Sequence, residues 1–261
     1  MEDNCFCCDS GCTDIKNRSF KQMLFGELVH HFPFGLFSVS LSLIVLGFLK
    51  YLSSGISDSR LLTRNADLLF HSFHYMHIVF AGTGSLVCFF RFSKNILLGL
   101  LVGAFSTMFF CTFSDAILPF LAGQLLGVQM EFHLCFLFHL TNVLPFLAIG
   151  LLNGLVLGRF YPSKGAFYSV FSHFFHILIS SFASTFYIVS HGLANWQGVI
   201  GLLFFFLIIS VVIPCTMSDI VVPMMAARMS KKKKKNIMTP ATRSDVVPMA
   251  AAGADKKNER N

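Results

Sequence analysis

Charged residues are scarce in this sequence, at 13% of 261, and tryptophan occurs only once. That scarcity excludes an ordinary water-soluble domain, whose surface draws on roughly a quarter charged residues. The N-terminus lacks the basic and short apolar regions of a cleavable signal peptide, so the segment is expected to stay attached. Walker motifs are missing, which argues against an ATP-driven pump within the chain. Loops expected in the cytosol carry too few histidines for the boxes of a membrane desaturase, and no enzymatic activity is expected.

What the chain does hold is apolar: 54% of residues are hydrophobic and 32 are phenylalanine. Stretches of twenty or more apolar residues predict transmembrane helices. Six are expected, over about Phe32–Leu52, Leu68–Phe90, Asn95–Gly127, Phe132–Gly158, Ala166–Ser190 and Gln197–Ala227. The first opens on Pro33, where a helix accepts proline. The third and sixth exceed the ~20 residues that a span needs, and each contains a proline, Pro119 and Pro223, which predicts broken helices.

Basic residues orient the spans. With the N-terminus in the cytosol, the inner segments hold Lys16, Arg18, Lys21, Arg91, Lys94, Arg159, Lys164, Arg228 and Lys231 to Lys235, and the outer ones only Lys50, Arg60 and Arg64. Both termini are therefore expected in the cytosol, in a bacterial inner (plasma) membrane. The run Lys231, Lys232, Lys233, Lys234 and Lys235 is expected to meet anionic lipid headgroups, not nucleic acid. The tail residues 244–249 echo 218–224 without an evident physical reason.

Acidic residues are almost excluded from the apolar runs, and the two exceptions fall in copies of one phrase. Cys111-Thr112-Phe113-Ser114-Asp115 leads to Pro119, and Cys215-Thr216-Met217-Ser218-Asp219 leads to Pro223. A carboxylate in hydrocarbon costs at least ~2.5 kcal/mol, so both are read as functional. Two further features also recur in order: a His ahead of Pro-Phe, in spans one and four, and a His-x-x-His pair, His74/His77 in span two and His173/His176 in span five. Three spans separate each feature from its copy, which predicts a 3+3 inverted repeat of the kind that secondary transporters use. The segments are then 1–31, a Cys-rich cytosolic N-terminus; 32–127 and 128–227, the two membrane repeats; and 228–261, a basic disordered tail.

Residues three apart share a helix face, so each His pair points one way, and His77 and His176 enter from opposite sides to about the same depth. Imidazole, thiolate and carboxylate together suit borderline or soft divalent metals. The candidate membrane site is accordingly His74, His77, His173, His176, Cys111, Ser114, Asp115, Cys215, Ser218 and Asp219, with His71 and His139 as accessory groups. His133 and His191 read as solvated residues at outer mouths, and Cys88 and Cys135 as packing. The bland alternative for the His and Asp residues is a set of interhelical hydrogen bonds. Cys5, Cys7, Cys8 and Cys12 could chelate a soft metal, though their spacing lacks the paired C-x2-C knuckles of a zinc ribbon.

The two Cys-containing, proline-bearing helices are loosely similar to those of heavy-metal permeases, with Ser-Asp standing where those families double the cysteine. That resemblance rests on Cys111, Cys215, Pro119 and Pro223 alone, and it implies soft-anion or arsenical substrates as a minor alternative. The residues themselves point to a secondary transporter of a transition-metal cation of the Zn, Cu, Ni or Fe class, with proton coupling through Asp115 and Asp219. Two other classes stay open: a haem- or metal-binding membrane oxidoreductase or assembly factor, and a transporter of an organic or oxyanion solute.

Overall fold

The computed structural model describes residues 20–53, 60–160, 165–193 and 195–238, and every regular element among them is a helix. Helices α1 (Phe20–Ser53) and α2 (Arg60–Phe92) are followed by α3 (Ile96–Thr112), which runs through a π-helical turn, Phe113–Ile117, into α4 (Leu118–Leu125). A short α5 (Cys135–Phe138) precedes α6 (Leu140–Phe160) and α7 (Gly165–Ser190). A 3₁₀ turn, Trp196–Val199, then leads into α8 (Ile200–Thr216), a second π-helical turn, Met217–Val221, and α9 (Val222–Met238). Six stretches are long and apolar enough to cross a membrane: Leu24–Ser53, Thr63–Phe92, Ile96–Leu125, Leu140–Phe160, Ser172–Ser190 and Trp196–Lys231.

Several boundaries differ from expectation. Pro33 lies inside α1 and does not open it, because the helix begins thirteen residues earlier at Phe20. The fourth span starts at Leu140, so His133 and His139 sit in the connection that precedes it. Residues 228–238, expected in a disordered tail, continue α9 through the lysine run, and 239–261 lie outside the described residues. Cys5, Cys7, Cys8 and Cys12 lie outside them too.

The overlong third and sixth spans are not interrupted at their prolines. Backbone torsions stay right-handed helical on both sides of each π turn, and the N–H groups of Leu118 and Val222 reach back five residues to Phe113 and Met217. A π turn absorbs one extra residue without breaking the helix. Proline has no N–H to continue that ladder, so the Ser114 and Ser218 carbonyls, five residues before each proline, need other donors. Ser184 donates to Ser114 O at 3.0 Å, and Ser106 donates to Ser218 O at 2.9 Å.

Polarity draws α2 and α7 to the centre, although the most apolar window, in Trp196–Lys231, is also 44% buried. The windows in α2 and α7 have the lowest mean hydropathy of the six, 1.3 each, and are the most buried, at 61% and 72%. The more apolar α1, α3–α4 and α6 windows are 33%, 28% and 22% buried and form the rim. Polar groups in hydrocarbon must be satisfied by protein, which favours this sorting. Close approach of α2 to α6 depends on the Gly150-x3-Gly154 stripe: a Cβ at Gly150 would stand 2.7 Å from Val79 O, and one at Gly154 would stand 2.9 Å from Thr83 O. At one end of the bundle Arg91, Lys94 and Lys231 line a cavity of about 540 Å³, so cations from α2, the α2–α3 link and α9 share that end.

Candidate functional site

Each half of the chain builds one triad of two histidines and a carboxylate. In the first, His74 Nδ1 and His77 Nδ1 both donate to Asp115 Oδ2, at 2.9 and 2.6 Å. In the second, His173 Nδ1 donates to Asp219 Oδ2 at 3.1 Å, and His176 Nδ1 donates to the same oxygen over a shorter contact. All six side chains are buried. A carboxylate only accepts, so each of these imidazoles carries a proton on Nδ1 and turns its Nε2 away from the acid. The i, i+3 spacing on α2 and α7 places both rings of a pair over one face, and the π turns aim Asp115 and Asp219 at those faces.

The two triads meet at the middle of the bundle. The His77 and His176 rings lie 4.4 Å apart, centroid to centroid. Cys111 Sγ and Cys215 Sγ each stand 3.7 Å from His77 Nε2. One donor atom from each of His77, Cys111 and His176 lies within 4.8 Å of the others. His77, Cys111 and His176, from three helices, thus form one close-set buried group, and Cys215, from a fourth helix, meets it at His77 Nε2. Behind each imidazole stands a carboxylate, the arrangement that fixes ring orientation and raises ligand basicity in metal sites.

Comparison with known proteins adds nothing to this geometry. No protein family, curated protein or solved structure matches the chain. Any functional reading therefore rests on the residues themselves.

Not every expected site residue faces the centre. Ser114 donates to Asp115 Oδ1 at 2.8 Å and to the Cys111 carbonyl at 3.1 Å, so it holds the carboxylate. Ser218 Oγ is buried without a hydrogen-bond partner, as are Asp219 Oδ1 and the Nε2 atoms of His173 and His176. His71 and His139 lie at the bundle end opposite Arg91, together with His133. There burial first, and neighbouring histidines after it, hold His133 below the ordinary imidazole pKa; burial does the same to His191.

Four contributors lie beyond the expected set. Ser180 donates to Asp115 Oδ1 at 2.9 Å, Ser184 supports the Ser114 carbonyl, and His31 packs against His173 with 4.1 Å between centroids. Ser180 and Ser184 lie four and eight residues after His176, on the same helical face, so a helical-period reading of α7 could have found them. Gly84 is a fourth: a Cβ there would stand 2.6 Å from Asp219 Oδ2, so only glycine admits the carboxylate.

Proposed function

We propose that the chain is a secondary transporter of a transition-metal cation, bound between its two halves by His77, His176, Cys111 and Cys215. The observation that carries this reading is the convergence of two imidazoles, each backed by its own carboxylate, on two thiols. A tetrahedral ion about 2.05 Å from nitrogen and about 2.3 Å from sulfur would set those atoms about 3.6 Å apart. The 3.7 Å separations at His77 Nε2 match that spacing. A thiol–imidazole hydrogen bond fits the same distance, so metal binding itself is the deciding measurement.

The transport reading draws on the symmetry of the site. One His-His-Asp triad comes from spans two and three and the other from spans five and six, which suits a 3+3 inverted repeat rocking about a shared centre. His74 extends the first triad toward one membrane face, and His173 and His31 extend the second toward the other, so imidazoles stand on both sides of the centre. Protons displaced from the thiols on metal binding make proton coupling natural. The clustering of Arg91, Lys94 and Lys231 supports a cytosolic assignment of that end, where Lys231 to Lys235 meet anionic headgroups. Bis-histidine haem is disfavoured, because it needs a porphyrin plane between the two rings and a 4.4 Å centroid separation leaves no room for one.

The full enclosure of the four donors favours one other reading, a resident metal in a non-transporting membrane protein such as an assembly factor. The test has two stages. Purified protein with Cys5, Cys7, Cys8 and Cys12 changed to Ser should bind a Co²⁺ that shows thiolate charge transfer, and C111S/C215S and H77A/H176A should both lose that thiolate-bound ion. Proteoliposomes should then accumulate that ion. Binding without accumulation would select the resident metal, and no binding by the folded protein would remove both readings.

A further inference from the structure

A second histidine cluster stands apart from the central one. His71 on α2, His133 in the connection between α4 and α5, and His139 at the end of α5 each place a ring nitrogen within 4.8 Å of the other two. Their centroids are 5.6 Å (His71–His133), 5.9 Å (His71–His139) and 5.4 Å (His133–His139) apart. His71 comes from a helix more than sixty residues away from the other two, so folding, not local sequence, brings the set together.

The surroundings hold the rings in place. The connection that carries His133 is strapped to the end of α7: His133 N–H donates to Tyr187 Oη at 3.2 Å, and Glu131 N–H donates to His191 O at 3.0 Å. The strap needs Gly192, whose φ of +146° and 2.8 Å approach to Gln129 O exclude a side chain. His191 stacks on Tyr187 at 4.1 Å and faces His133 at 5.7 Å. Behind His71, its Nδ1 donates to the Asp67 carbonyl at 2.9 Å and stands 3.5 Å from the Asp67 carboxylate, which leaves Nε2 for a ligand. This is the orienting acceptor that metal-bound histidines use.

We propose that His71, His133 and His139 form a second metal site, a three-imidazole set with an open coordination position for Zn²⁺, Co²⁺, Ni²⁺ or Cu²⁺. Three protein ligands with one open position exchange their ion with solvent, unlike a closed four-ligand set. All donors are nitrogen, so this site and the thiol-containing centre are chemically distinct. Buried Phe70 packs on His71 at 4.9 Å and on His74 at 5.6 Å, so a single aromatic layer separates this site from the outer histidine of the first triad. If the chain transports metal, this site loads the centre; the binding claim stands without that reading.

Co²⁺ titration of the full chain in detergent, with Cys5, Cys7, Cys8 and Cys12 changed to Ser, tests the proposal. C111S/C215S in that background should keep one Co²⁺ whose visible bands lack thiolate charge transfer. Adding H133Q/H139Q should weaken this ion at least about 10-fold. Loss of all Co²⁺ in C111S/C215S, or an unchanged affinity after H133Q/H139Q, would overturn the site. A parent protein without thiolate charge transfer would defeat the central reading and leave this one standing. Because the glutamine variant could misfold, the unsubstituted chain gives a second measurement: Zn²⁺ should protect His71, His133 and His139 from diethyl pyrocarbonate, and equal modification with and without Zn²⁺ would reject the site.

Discussion

Asp115 and Asp219 occupy matching places in the sequence and unequal environments in the fold. Asp115 accepts four hydrogen bonds, from His74, His77, Ser114 and Ser180, so both of its oxygens are satisfied. Asp219 accepts from His173 and His176 through Oδ2, while Oδ1 is buried without a partner. A bare buried carboxylate oxygen is costly, and it is also where a proton can sit. On the metal reading both carboxylates tune the imidazoles in front of them, so D115N and D219N should each lower Zn²⁺ affinity by about 10- to 100-fold while the protein stays folded, as measured by competition with a chelating dye. Unchanged affinity in both would remove the carboxylates from the metal site. If protons are coupled to transport, the carboxylate with room for one is Asp219. D219N should then abolish the dependence of metal uptake on a pH gradient in proteoliposomes, whereas D115N should retain that dependence at reduced affinity.

Proline works differently in these helices than a simple helix-breaking rule implies. Pro119 and Pro223 each sit just after a π turn, and the carbonyl each leaves bare takes a serine hydroxyl from a neighbouring helix. S184A should therefore strand the Ser114 carbonyl and cost about 1 kcal/mol. P119A restores a backbone N–H at that place, so the double variant P119A/S184A should lose less than S184A alone, read as a coupling energy in detergent unfolding. Additive effects would show that Ser184 does not serve the proline. The glycine stripe of α6 is the second device at this scale. G154A would push a methyl to 2.8 Å from Leu86 Cβ and should cost about 1–3 kcal/mol, while G201A, with nothing within 4 Å, should be neutral or slightly stabilising.

For the whole molecule, the two ends differ in chemistry: one gathers Arg91, Lys94 and Lys231, and the other gathers His71, His133, His139 and His191. The cationic end is the one the positive-inside rule assigns to the cytosol. If that assignment holds, a reporter active only outside the cytosol should be active when inserted at Gly127 and silent when fused after residue 261. The reverse pattern would turn the three-histidine mouth toward the cytosol and recast any transport it serves as export.

The helical class and the six spans were legible from hydropathy alone, because apolar length against bilayer thickness is a local property of the chain. So were the paired histidines and the two Ser-Asp phrases, because a repeated ionisable residue in an apolar run stands out without any partner in view. Helix boundaries were read less well. Pro33 marked no helix start, and Pro119 and Pro223 marked no break, since what a proline does depends on which neighbouring hydroxyl can serve the carbonyl it frees. Sequence by itself determined which residues could bind or titrate, through their chemistry and spacing. Only the tertiary structure decided which of them meet. His77 and His176 face each other across the centre, Ser114 turns to a carboxylate, and His71 joins His133 and His139 at the mouth, because interhelical packing and the strap on α7 set those distances, and no local pattern along one chain encodes them.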